Sequence, residues 1–324
     1  MNKLTKIGVS ALCGSLASVA AANAGSLDVT GGATATYTSL DNQVTGNPLG
    51  MSTAMTFTGN GELDNGSTFK VTIAHNDKGA YSTSAIALTT PSLGTFTYDE
   101  GGGTGIDRID DMMPTAWEEV DGTALAPGLR TVSGAGGNSD LEWNVGMGLP
   151  DGMNAYLSFA PRPDGSKNAD KTVGGNANSP GNGWDIVLTH SGLLDGLNVF
   201  AGMSSIEQAT IGDKDSEAYG ATYAIGAATV GYQHSKEDNV GAAGVYYEND
   251  AYGISYSVND DLSVSYGVHE SNGSTASEVQ ASSFQVAYSV GGASVKLAET
   301  SVDNQNYVSG TNREGRTIAL TLAF

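Results

Sequence analysis

Beyond residue 24 this chain has no cysteine; its single one is Cys13. A disulfide-stapled scaffold and a thiolate metal site are thereby excluded for everything that follows. Basic residues are scarce too: 14 Lys and Arg stand against 35 Asp and Glu, a formal net charge of −21. Nucleic acid and anionic lipid surfaces both call for Lys and Arg, so neither is expected as a partner, whereas cations are attracted. No long apolar run follows residue 24, which excludes a bundle of membrane-spanning helices. His75, His190, His234 and His269 are scattered without metal-ligand spacing. No Ser/His/Asp grouping emerges that would serve a hydrolase.

What is present starts with an export signal, Met1 to Ala24. Lys3 and Lys6 make a positive start, Ile7 to Ala21 is small and apolar, and Ala22-Asn23-Ala24 supplies a cleavage site. The apolar run is shorter than the roughly 20 residues a helical span needs. Leu12 precedes Cys13 where a lipoprotein signal would carry a small residue, so lipidation is not expected. Residues 25–324 read as one domain.

That domain alternates apolar with polar residues. Leu27, Val29, Ala33, Ala35 and Tyr37 share one parity, as do Leu141, Trp143, Val145, Met147 and Leu149. The pattern recurs to the last run, Ile318, Leu320, Leu322 and Phe324. Period two is the mark of a strand wet on one face. About sixteen such runs occur, near the length that crosses hydrocarbon when tilted. Tight turns such as Asp64-Asn65-Gly66 and Pro150-Asp151-Gly152 alternate with longer polar connections, the asymmetry of an outer-membrane barrel. The expected fold is therefore all-β, a closed transmembrane antiparallel β-barrel. An open edge would leave backbone groups unpaired in lipid, and about sixteen strands enclose a water-filled lumen. A soluble sandwich shares the alternation and is the alternative.

One stretch interrupts the pattern. Glu100 to Gly122 opens on three glycines and gathers Asp107, Asp110, Asp111, Glu118, Glu119 and Asp121 around a single base, Arg108. The excursion, about residues 100–138, is expected to fold inward as an acidic constriction; an acidic, solvated surface loop is the alternative. Pro114 suits the first turn of a short helix continuing through Glu119, with Trp117 as its anchor on the inner wall. Asp107, Asp110 and Asp111 are placed at the narrowest ring. Calcium held by their clustered oxygens is the alternative there, although EF-hand spacing is absent, and no other cofactor is expected. Inward parity offers Lys70 and Lys296 as facing bases, while Arg316 shares the parity of Ile318 and points outward. Asp28, Glu62, Glu142 and Asp185 also take inward parity and are expected in lumen water.

The strand count, the long connection after the fifth strand, its acidic content and the terminal run Thr317 to Phe324 together resemble Gram-negative general diffusion porins of the sixteen-stranded, trimeric kind. The resemblance covers residues 25–324. It implies a homotrimer set in outer-membrane lipid and lipopolysaccharide, a third external loop folded into each lumen, and Phe324 as part of the signal read by the barrel-assembly machinery. It also implies passive diffusion of small hydrophilic solutes, with no enzymatic activity; an outer-membrane lipase or protease barrel and a surface adhesin are the alternatives. Two departures stand out. The second external loop, near Asn76 to Ala80, is very short for a latch onto a neighbouring subunit, and no arginine cluster faces the acidic loop. A plainly acidic, cation-preferring bore is the expectation.

Overall fold

A computed structural model describes residues 25–41, 45–77, 80–100, 102–120, 125–161, 181–274 and 277–324. The expected export signal, Asp121 and most of the loop after Phe159 lie outside these residues. Sixteen antiparallel strands close into one barrel: β1 (Leu27–Asp41), β2 (Leu49–Glu62), β3 (Thr68–Asn76), β4 (Ala80–Thr90), β5 (Gly94–Asp99), β6 (Asp140–Val145), β7 (Met153–Ala160) and β8 (Gly183–His190) make the first half. The second half is β9 (Leu197–Ile206), β10 (Lys214–Ile225), β11 (Ala228–Asp238), β12 (Tyr246–Ser257), β13 (Leu262–Gly273), β14 (Val279–Val290), β15 (Ala293–Asp303) and β16 (Arg313–Ala323). β16 pairs with β1, Ile318 opposite Tyr37 and Leu320 opposite Ala35. Phe324 completes the seam, trading backbone hydrogen bonds with Gly31 at 3.0 and 2.9 Å.

The wall is inside-out relative to a soluble protein. Leu141, Ile225, Ile254, Tyr266 and Leu320 are exposed on the outside, whereas Gln233, Asn249, Ser265 and Gln285 are buried on the inside. Only a closed sheet allows this, because every ladder bond is satisfied and water is retained on one face alone. Arg316 points outward as its parity requires and pairs with Glu299.

Two expectations about elements need correcting. The run ending at Leu149 stops pairing at Val145, because Gly146 lies against Gly94 and donates its N–H to the Leu93 carbonyl at 3.1 Å. No helix forms over Pro114 to Glu119; the short 3-10 helix of the excursion is Gly105–Ile109 instead. The amides of this stretch go to the barrel wall instead. Ala116 donates to Ser265 Oγ at 2.8 Å, and Trp117 and Glu118 both donate to Gln285 Oε1 at 3.0 Å.

Candidate functional site

The excursion between β5 and β6 lies inside the barrel and follows its inner wall. Apolar loop residues sit where that wall has no side chains. Gly231 and Gly253 stand opposite each other in register, as do Gly253 and Gly267. A Cβ on Gly231 or Gly253 would lie 2.7 or 2.9 Å from Pro114 Cδ, and one on Gly267 would lie 2.6 Å from Val120 Cγ2. Gly202 receives Ile109 and Gly315 receives Leu125 in the same way. Further along, Ile106, Ile109 and Val132 pack with Val187, Phe200 and Ala218 of the wall, and Val120 and Leu125 pack with Val279, Ala281 and Val302. Gly253→Val is expected to lower barrel stability by about 1–3 kcal/mol, the usual cost of overpacking. Denaturant unfolding of refolded protein reads this. Gly59→Val, at a position with nothing within 4 Å of the new Cβ, is the control.

Carboxylates pin the two ends of the loop. Asp185, 1% exposed, accepts the amides of Ile106 at 3.0 Å, Ala135 at 2.9 Å and Gly136 at 2.8 Å. Glu142 accepts the Gly105 amide at 2.8 Å and the Arg108 guanidinium at 2.5 Å. Asp140 accepts the Thr104 hydroxyl at 2.7 Å. Glu142 and Asp185, expected in lumen water, are thus covered by the loop they hold. Their inward parity gives no hint of this, since a lid and a lumen look alike from the strand.

The residues singled out in the sequence divide into groups. Trp117, Glu118 and Lys296 come together: the Lys296 ammonium lies 5.7 Å from the Trp117 ring centre, and Gln285 accepts the Trp117 amide. Arg108 is engaged by Glu142 and stacks 4.1 Å from the Tyr156 ring centre. Asp107 bends back to accept the Gly103 amide at 2.7 Å. Asp110 and Asp111 are half-buried and shape the next turn, accepting the amides of Asp111 at 2.8 Å and Met113 at 2.7 Å. Glu119 is exposed. Lys70 stands apart, exposed between Asn60 and Ala87 toward the short-turn end of the barrel. Among the described residues no group of three or more His, Cys, Asp or Glu is placed to hold a metal ion. Sequence reading missed Gln233, whose side chain accepts the Met112 amide at 2.9 Å and donates to the carbonyls of Ile109 and Asp110. An amide side chain at an inward, mid-strand position was the available signal.

Burial shifts two loop carboxylates. It raises Glu118 above the ordinary carboxylate range, with Lys296 opposing. It raises Asp107 as well, with the Gly103 N–H opposing and the Asp185 charge adding to the rise.

A family model described as Gram-negative porin matches residues 8–311. No curated protein matches the sequence. Among solved structures, the chain is similar to Salmonella typhi OmpF in complex with daunomycin, with a TM-score of 0.70 at 14% identity over 92% of this chain and 97% of that one. It is similar to an anion-selective porin from Comamonas acidovorans, with a TM-score of 0.64 at 14% identity over 93% and 100%. A trimer form of OmpT, an outer membrane protein of Vibrio cholerae, gives a TM-score of 0.63 at 12% identity over 93% and 99%.

Proposed function

We infer the working of this protein from one premise: the chain belongs to the Gram-negative porin family, and so forms a diffusion channel in the outer membrane. The finer reading is that the channel passes small hydrophilic solutes passively and prefers cations. A shared fold cannot decide the preference, since a porin of the same fold is anion-selective; side chains must. One observation carries it. Asp110, Asp111, Glu118 and Glu119 are at least partly exposed on the loop inside the barrel. They outnumber its bases, Arg108, engaged by Glu142, and Arg130, which lies over the Tyr247 ring; Lys296 of the wall sits beside Trp117 and Glu118. Carboxylates along a confined aqueous path focus a negative potential and enrich cations.

The test is a reversal potential across a planar bilayer under a potassium chloride gradient. At neutral pH its sign should favour potassium. A raised carboxylate takes up its proton at a higher pH than an ordinary one, near pH 4. As pH falls, Glu118 and Asp107 therefore lose charge before an ordinary carboxylate does, and cation preference should begin to decline well before pH 4 is reached. An anion-favouring sign at neutral pH would sink the reading. On the same premise, residues 1–24 are the export signal, 25–324 the barrel, and Phe324 part of the assembly signal. A homotrimer in contact with lipopolysaccharide is the arrangement we propose, the trimer form of the Vibrio cholerae protein supporting it.

A further inference from the structure

The hydrogen bonds and apolar contacts that seat the loop come from β6 to β16, with Leu40 joining at the end of β1 and Asp99 at the end of β5. The far side of the bore is therefore the inner face of β1 to β5. Parity fixes what that face carries, because Ala35, Tyr37, Phe57 and Ile73 turn outward. Its middle is hydroxyl-lined. Thr34 bonds Thr321 across the seam at 2.9 Å, and Thr58 stands opposite Thr72 in register. Thr36 shares a cross-strand row with Ala319 and Lys296, which sets it level with Trp117 and Glu118. Inward charges of this face gather elsewhere: Asp28, Glu62 and Lys70 near the short-turn end, and Asp99 at the root of the loop, where it accepts the Gly102 amide at 3.1 Å.

We propose that this channel sorts solutes with one charged flank and one hydroxyl flank, so that it favours monocations and neutral polyhydroxylated solutes over zwitterions of the same size. The proposal rests on the reading of the bore as a diffusion path. Threonine hydroxyls both donate and accept, so a polyol exchanges its water for equivalent partners along the wall. A zwitterion differs. Its ammonium is drawn to the acidic loop, its carboxylate is repelled by the same loop, and at that level the inner face of β1 to β5 offers that carboxylate no cation, Lys70 lying toward the short-turn end. A wall bearing arginines would meet both ends at once. This one meets only the positive end.

The experiment uses the full protein refolded into liposomes, with swelling rates for arabinose and for proline, a neutral polyol and a zwitterion of similar size. The wild-type proline-to-arabinose ratio should lie below one. Thr36→Arg, placed beside Gly50, should raise that ratio about twofold or more, the effect of one unit charge at roughly 10 Å in water. Thr72→Arg repeats the test should the first variant fail to fold. A wild-type ratio of one or above, or a ratio that neither arginine moves, overturns the proposal. A null reversal potential, even with the ratio below one, would remove the charged flank and overturn the proposal while leaving the diffusion reading standing. Absence of swelling with every solute would end the diffusion reading and this inference with it.

Discussion

Asp185→Ala is expected to raise single-channel conductance and make it unsteady. The carboxylate accepts three loop amides, from Ile106, Ala135 and Gly136. All three sit where water cannot replace it easily, Ile106 and Ala135 being fully buried. Each orphaned N–H costs about 1–3 kcal/mol. Three together rival the stability of an ordinary domain's weakest part, so both ends of the loop should come away from the wall. The barrel should survive, because its ladder bonds do not involve this side chain. Step conductance in planar bilayers reads the first effect, and retained resistance to denaturant in detergent reads the second. A quiet channel of wild-type conductance would mean that the apolar seats alone hold the loop. Asp185→Asn should fall between, since one amide oxygen remains to accept while its NH2 faces further donors.

Reversing charge at Asp110 and Asp111 together, to lysine, should move the reversal potential toward anions. Four units of charge change on the loop; at about twofold per unit in water-filled surroundings, the cation-to-anion permeability ratio should fall on the order of tenfold. Both carboxylates also hold their own turn, through the amides of Asp111 and Met113, so lysine alters shape as well as charge. Asn at both positions is the necessary partner experiment. It keeps an oxygen acceptor in each turn and removes only the charge, and it should produce about half of the shift in free energy. No movement with either pair would place these side chains off the conduction path.

The barrel was legible in the sequence because lipid imposes period two on every strand. Leu27 to Tyr37 and Ile318 to Phe324 could be assigned to the outside before any coordinates, and they pair across the seam as that assignment requires. The loop was legible as acidic and inward-folded, but its conformation was not. Pro114 and Trp117 suggested a helix because local propensity was all that could be weighed. The deciding partners, Ser265 and Gln285, lie 149 and 168 residues away from Ala116 and Trp117. Nothing in the sequence singles out Gly231, Gly253 and Gly267, and only the register shows that they line up under Met113, Pro114 and Val120. Glu142 and Asp185 were found by parity yet misjudged as wet, since parity reports a side, not what covers it.

The seam bears on how such an object comes to exist. Thr34 and Thr321 meet across 287 positions of chain, so joining the first hairpin to the last ranks among the most entropically expensive events in construction. The anchorage of the acidic segment, by contrast, belongs almost wholly to the portion from β6 onward. A half-rolled sheet can accordingly receive its insert while one flank is still agape, and the hoop then shuts around contents already in place. Nothing has to be threaded afterwards through a finished ring.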